Sequence, residues 1–319
     1  MYYVGIDLGG TNIAAGIVDK NKKIIAKASV PTFAARDGEL IIRDMAALVD
    51  KLLKSNKIPL NEIAHVGIAT PGTVDDKRGV VERAYNLPFN HFPIGDMFKR
   101  FLPVKNVFVA NDANAAALGE ALAGAARGSR NSVMITLGTG VGGGIIIDGK
   151  IYSGFNGAAG ELGHIVIEYN GRQCTCGRRG CWEAYSSATA LSAVTREKVI
   201  ECDIKGIPTL MTDDYKTRGK VTARTAFAAM KKGDKVAADV VDYYIEHLAC
   251  GIASIINIFQ PEIICIGGGI CNEKGYLLDP LNALVEREQY TRENPQKCKI
   301  VVAELGNDAG IIGAACLGL

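Results

Sequence analysis

Net charge is nearly absent from this sequence: 36 lysines and arginines against 34 aspartates and glutamates leave +2 over 319 residues. That balance gives no bulk electrostatic affinity for nucleic acid or for an anionic membrane, and neither is an expected partner. No secretory leader is expected either. The chain enters directly into Tyr2-Tyr3-Val4-Gly5-Ile6-Asp7, with no basic n-region and no cleavable apolar segment, so a cytoplasmic location is expected. No apolar run is long enough for a bilayer: the longest, 236–259, is broken by Asp239, Asp242, Glu246 and His247 and reads as a buried helix. The lysine-bearing loop of P-loop NTPases is also lacking, and no glycine run opens a dinucleotide-binding βαβ unit.

What is present is the composition of a globular enzyme, 48% hydrophobic and 22% charged, with 37 glycines clustered in short runs beside apolar strands. The length exceeds what one core ordinarily supports, so two α/β domains are expected. Strands are predicted at 3–8, 13–18 and 22–31, an amphipathic helix over 37–54, and strands at 63–70 and 104–110. The last delivers Asn111-Asp112 to a small-residue helix at 113–126. The pattern then restarts, with a strand at 132–137, a glycine turn at 138–144, a return strand at 145–147 and a hairpin at Asp148-Gly149. Later come the long helix, a buried strand at 262–266 opening into Gly267-Gly268-Gly269, and a last strand at 299–305. Each half thus contains strand, glycine turn, strand, and each has an Asn-Asp-Ala junction, at Asn111 and Asn307. The segment 203–220 reads as polar connection or helix, with no function attached.

Glycine turns let a backbone approach a ligand closely and aim N–H groups at phosphate oxygens. Asp7 sits inside an apolar strand next to Gly9 and Gly10, which suits a water-mediated partner of Mg²⁺ or phosphate better than a solvated or capping aspartate. The most specific feature is the spacing His164-x9-Cys174-x-Cys176-x4-Cys181, bracketed by Glu161 and Glu183. Three sulfurs and one imidazole complete a tetrahedral Zn²⁺ shell with no open position, a structural site that would pin a loop poor in apolar residues. Free thiols or one disulfide are the alternatives. Tight spacing in a glycine- and arginine-rich loop argues against core thiols, and the cytosolic look of the chain argues against a disulfide. The other six cysteines (Cys202, Cys250, Cys265, Cys271, Cys298, Cys316) are scattered, several inside apolar runs, as reduced core thiols are.

Together, Asp7-Leu8-Gly9-Gly10-Thr11, Asn111-Asp112, Leu137-Gly138-Thr139-Gly140, Glu161-Leu162-Gly163-His164 and the cysteine motif ending in Glu183 resemble the ROK family of sugar kinases and repressors. Within it the chain looks like the bacterial-type glucokinases, over nearly its full length. The resemblance implies the actin-like (ribonuclease-H-like) ATPase fold, two α/β domains around a cleft. The expected boundaries are 1–118 plus the C-terminal helix 306–319, and 119–305 with the zinc loop 161–183.

The implied activity is ATP-dependent phosphorylation of glucose to glucose 6-phosphate. Asp112 matches the catalytic base; Asn111, Glu161, His164 and Glu183 match sugar-hydroxyl ligands, and Gly72 and Asn86 further sugar-side positions. Gly9, Gly10, Thr11, Asn12, Gly138, Thr139, Gly140, Gly267 and Gly268 match phosphate and adenosine contacts, with His164, Cys174, Cys176 and Cys181 holding zinc. Many relatives have a basic residue shortly after Gly-Gly-Thr where this chain has Asn12-Ile13-Ala14, which leaves the phosphates to Mg²⁺ and backbone N–H groups. The Gly-Trp that commonly follows Asn-Leu-Pro is Phe89-Asn90 here. A homodimer or higher assembly is implied. Alternatives are a kinase for N-acetylmannosamine, fructose, mannose or allose, polyphosphate as donor, a filament-forming actin relative, and a repressor. Repressors in the family carry an N-terminal helix-turn-helix, whereas this chain starts in its first strand.

Overall fold

The computed structural model describes residues 1–319, the side chain of Arg218 excepted. In chain order the elements are β1 (Tyr2–Leu8), β2 (Asn12–Val18), β3 (Ile24–Pro31), α1 (Gly38–Ser55), β4 (Ile63–Thr70), β5 (Thr73–Asp75), β6 (Val80–Arg83), β7 (Asn90–Phe92), α2 (Ile94–Phe101), β8 (Val107–Asn111) and α3 (Asp112–Ala123). There follow β9 (Ser132–Leu137), β10 (Val141–Ile147), β11 (Lys150–Ile151), α4 (Glu183–Ser186), α5 (Ala188–Lys205), α6 (Leu210–Arg218), α7 (Ala223–Met230), α8 (Lys235–Phe259), β12 (Ile263–Gly267), α9 (Gly275–Glu288), β13 (Lys299–Val302) and α10 (Ala309–Ala315). Among the described residues no helix is long and apolar enough to cross a membrane.

The chain divides into two compact units, one of residues 1–134, 144–160 and 303–319, the other of 135–143 and 161–302. The first unit therefore runs past the 118 boundary expected from the sequence. Five strands form its main sheet in the order β3-β2-β1-β4-β8, antiparallel across β3-β2-β1 and parallel across β1-β4-β8. Burial explains the apolar stretches: Val4, Ile6, Leu8, Ile13, Ile17, Val66 and Ile68 are fully enclosed. The edge strand β3 instead alternates half-buried and exposed positions, the pattern of one covered face. α1 covers this core with Ile41, Ile42, Met45, Leu48, Val49, Leu52 and Leu53, a stripe at helical spacing. Asp37 caps it, its carboxylate accepting from the Glu39 N–H at 2.8 Å. On the other face lies α10, whose backbone comes so close that a Cβ on Gly5 or Gly67 would collide with the carbonyl of Ile311 or Ala314.

Three departures from the sequence reading have physical causes. β8 begins at Val107, where its parallel pairing with β4 starts opposite Val66, and the Asn106 carbonyl just before it accepts from the Val66 N–H at 3.0 Å. β10 begins at Val141 and absorbs glycines expected in the turn; a Cβ on Gly144 would strike the Ala113 carbonyl, so that glycine serves close packing on α3. The small sheet β5-β6-β7 was not expected at all, because strands of three or four residues are too short to show alternation. The 203–220 segment contains α6.

A second sheet has the order β11-β10-β9-β12-β13, with β12 and β13 parallel. Within the second unit, the long helix α8 carries an apolar face from Ala237 to Ile256. Trp182 is buried at its side, and the indole Nε1 donates to the His247 carbonyl at 3.0 Å. A Cβ on Gly251 would run into that indole. Gly251→Ala is therefore expected to destabilise the protein by about 1–3 kcal/mol, the range for overpacking a tight core. A melting temperature unchanged from wild type would contradict the contact.

Candidate active site

In the first unit the turn between β1 and β2 is closed by the Gly9 N–H donating to the Asn12 carbonyl at 2.9 Å. Thr32, fully buried, holds it from behind: its hydroxyl donates to the Gly9 carbonyl at 2.7 Å and its N–H to the Thr11 carbonyl at 2.8 Å. Thr11 and Asn12 are left exposed. Nothing in the sequence singled out Thr32. Asn86 lies beside Gly10, its amide nitrogen 3.4 Å from where a Cβ there would sit. The unusual Phe89 is a core residue, buried and stacked on Phe92 at 4.7 Å.

The junction from β8 to α3 separates two duties. Asn111 is the cap: its Oδ1 accepts from the N–H groups of Ala113 at 2.9 Å and Asn114 at 3.2 Å, while its Nδ2 donates to the Gly72 carbonyl at 3.1 Å. The Asn111 side chain also hydrogen-bonds the Asp112 carboxylate. Gly72 has φ +99°, and a Cβ there would strike the Arg83 carbonyl. Relieved of capping, Asp112 opens the helix with Oδ1 accepting from the Ala113 N–H at 2.9 Å. Burial raises its pKa, partly offset by the hydrogen bonds it accepts. Asp7 is raised further, to about 6, by burial and then by the charge of Asp112.

That shift has a defined sign. A carboxyl whose folded pKa lies above its unfolded value of 3.8 contributes stability that is full below 3.8 and lost as pH rises through about 6. Ionised Asp7 thus costs up to about 3 kcal/mol at neutral pH. Asp7→Asn should raise the melting temperature at pH 7.5, with the gain shrinking toward pH 4. A gain independent of pH would refute the assignment.

In the second unit, the turn after β9 is closed by the Gly138 N–H donating to the Gly140 carbonyl at 3.0 Å. The Ala188 N–H at the start of α5 donates to the Gly138 carbonyl at 2.9 Å. Gly267 ends β12, and Gly268 (φ +110°) packs so tightly on the Leu137 carbonyl that no Cβ fits.

The three sulfurs and the imidazole come together as the spacing predicts. One donor atom from each of His164, Cys174, Cys176 and Cys181 lies within 4.8 Å of all the others, and all nine cysteines are free. Cys176 Sγ and Cys181 Sγ are 3.6 Å apart, and Cys174 Sγ is 3.8 Å from His164 Nδ1. A zinc tetrahedron with Zn–S near 2.3 Å has edges of about 3.8 Å, so the set fits that ion. Burial and the adjacent thiols push Cys181 up to about 12, and a divalent cation would favour its thiolate. Cys176 is drawn down, chiefly by the Arg178 N–H.

Local structure builds this cluster. His164 ends a short 3₁₀ turn, Leu162–His164, and Val166 bridges to Cys181. The Tyr185 hydroxyl oxygen accepts from the Arg172 N–H at 2.6 Å, and the Arg172 guanidinium forks onto Glu197 at 3.0 and 2.6 Å. Glu161 is exposed. Glu183 is not a free acid: Oε2 accepts from the Val141 N–H at 3.0 Å, and Oε1 accepts from the Thr175 hydroxyl at 3.2 Å and lies 3.8 Å from Cys174 Sγ. No sequence signal exposed that link.

Comparison with known proteins follows the same lines. The family model described as "ROK family" matches residues 3–319. The glucokinase of Halalkalibacterium halodurans is 37% identical over 317 residues, covering 99% of this chain and 94% of that protein. The N-acetylmannosamine kinase of Salmonella typhi is 31% identical over 318 residues, covering 99% and 98%. The crystal structure of a ROK family glucokinase from Streptomyces griseus in complex with glucose and AMPPNP is similar, with TM-score 0.79, 34% identity and 99% of both chains covered. The fold is the actin-like ATPase fold with mixed α/β sheets.

Proposed function

Because the chain belongs to the ROK family, we propose that it is a hexose kinase that transfers the terminal phosphoryl group of ATP to glucose. The observation that carries this reading is the division of labour at 111–112, which leaves a half-buried carboxylate of raised pKa free of capping duty. Support also comes from the glucokinases it resembles, one of them solved with glucose and an ATP analogue.

Phosphoryl transfer to a hydroxyl requires alignment, charge stabilisation and an acceptor for the hydroxyl proton. Asp112 accepts the proton from the attacking sugar hydroxyl as that oxygen bonds to the terminal phosphorus and the bond from that phosphorus to the departing ADP oxygen breaks. The Asn111 amide, held by Gly72 and Asp112, orients the sugar beside it, with Gly72 and Asn86 as further sugar-side positions. Glu161 and the open lone pairs of Glu183 accept from other hydroxyls. His164, whose Nδ1 faces the sulfurs, has Nε2 left for a sugar oxygen. The turns at Gly9, Gly10, Thr11, Asn12 and at Gly138, Thr139, Gly140 present N–H groups to the phosphates, Gly267 and Gly268 border the adenosine, and Asp7 would hold Mg²⁺. Mg²⁺ would neutralise phosphate charge; Zn²⁺ on His164, Cys174, Cys176 and Cys181 would be structural.

A second reading changes only the acceptor, to N-acetylmannosamine, and is favoured by the Salmonella typhi relative. A coupled assay with ATP, Mg²⁺ and a panel of hexoses separates the two. Glucose should give the highest kcat/KM; a preference for N-acetylmannosamine would overturn the substrate but keep the mechanism. No turnover of any sugar would overturn both.

A further inference from the structure

Glu183 stands between two structures that the proposed function treats separately. On one side are the metal ligands: its Oε1 accepts from Thr175, the residue between Cys174 and Cys176, and lies 3.8 Å from Cys174 Sγ. On the other side is the glycine turn. Oε2 accepts from the Val141 N–H at 3.0 Å, and the carboxylate fills the space where a Cβ on Gly140 would be. Glycine at 140 is thus required by the carboxylate behind it as well as by any ligand in front. The turn has a further tie, from Ala188, which lies five residues beyond Glu183 and follows α4.

We propose that Glu183 is a strut through which the metal loop positions the 138–140 turn, so that metal occupancy tunes nucleotide affinity. When the four ligands gather on a cation, Cys174 and Thr175 are fixed, and the carboxylate holds the Val141 N–H and with it the turn. Without the cation, Thr175 and Cys174 are free to swing away, and the carboxylate loses the contacts on its loop side. A loop expected only to orient the sugar thereby also sets the phosphate side. The strut rests on the nucleotide role proposed above for 138–140, with Glu183 and Thr175 as positioning residues.

Coupling of this kind is reciprocal: if the metal tightens nucleotide binding, nucleotide must tighten metal binding by the same factor. Two readouts independent of turnover follow. The first is ADP binding by titration calorimetry to metal-loaded and metal-stripped protein, with an expected rise in Kd of about tenfold on stripping. The second is zinc release from the metal-loaded protein to a chromogenic chelator, which saturating ADP should slow. Thr175→Val keeps all four metal ligands and removes one hydroxyl; it should retain stoichiometric zinc, weaken ADP binding about threefold and reduce the protection of zinc by ADP. Zinc release indifferent to ADP, or ADP binding indifferent to both metal and Thr175, would overturn the strut while leaving the kinase reading intact. Failure of the metal-loaded protein to bind ADP would overturn the nucleotide role itself, and the strut with it.

Discussion

Asp112→Asn is expected to lower kcat by about 10²–10⁴-fold, the span supplied by a positioned general base, with little change in stability. The substitution is nearly isosteric. Its side-chain oxygen can still accept from the Ala113 N–H, and the cap belongs to Asn111, so α3 starts as before. What disappears is an acceptor able to take up a whole proton. Burial is central, since a carboxylate drawn out of water is more basic, and the structure shows that direction of shift for Asp112. The same basicity sets a pH limit: kcat should fall on the acid side as Asp112 becomes protonated, and that limb should vanish from the residual activity of the variant. Initial rates at saturating sugar and ATP, with zinc content and melting temperature as controls, decide the matter. A variant within a few-fold of wild type, with the acid limb retained, would remove Asp112 from the role.

The contrast with Asn111 shows how much of this was legible in the sequence. An Asn-Asp pair before a small-residue helix announces a cap, and composition alone cannot say which of the two performs it. Geometry assigns both capping bonds to Asn111. The second Asn-Asp pair, at Asn307 and Asp308, looks alike in the sequence but behaves differently, since α10 has no side-chain cap and Asp308 pairs with Lys27 at 2.6 Å. That His164, Cys174, Cys176 and Cys181 gather in one place was legible because coordination chemistry constrains both residue type and spacing. The strands β1, β2, β4 and β9 were legible because continuous apolar runs bounded by glycine leave little else for a chain to do.

Less visible were polar residues whose partners lie far along the chain. Glu120 is almost fully buried, and its carboxylate accepts from the N–H groups of Ala125, Glu304 and Leu305 at 2.8, 3.2 and 2.8 Å. In the sequence it is one more acid in an alanine-rich helix. Thr32, whose hydroxyl donates to the Gly9 carbonyl, is hidden in the same way. A hydrogen bond between distant segments leaves no periodic trace, so these residues became apparent only once the backbone had placed their partners.

Cys181→Ser is the second large effect expected. The sulfur is buried, 3.6 Å from Cys176 Sγ, and the replacement hydroxyl is a poor substitute for a thiolate that Zn²⁺ binds at neutral pH. Metal content should drop well below one equivalent. Removal of a supporting residue around a ligand typically costs 10–100-fold in metal affinity or activity, so loss of a ligand itself should cost at least about 100-fold in kcat/KM for the sugar. The damage should be local. Trp182 still anchors one end of the loop to α8 through its bond to the His247 carbonyl, and Arg172 still pairs with Glu197. Proteases should therefore cut the variant within 161–181, while amides of β1, β2 and β4 keep their hydrogen-exchange protection. The reason a structural ion should matter so much to turnover lies in the side chains that flank it. Glu161 and Glu183 bracket the four ligands, and a carboxylate can meet a hydroxyl only if the backbone beneath it is fixed. A metal-depleted Cys181→Ser protein with wild-type kcat/KM would mean that hydrogen bonds alone hold those carboxylates in place, and would sever the link between metal and sugar.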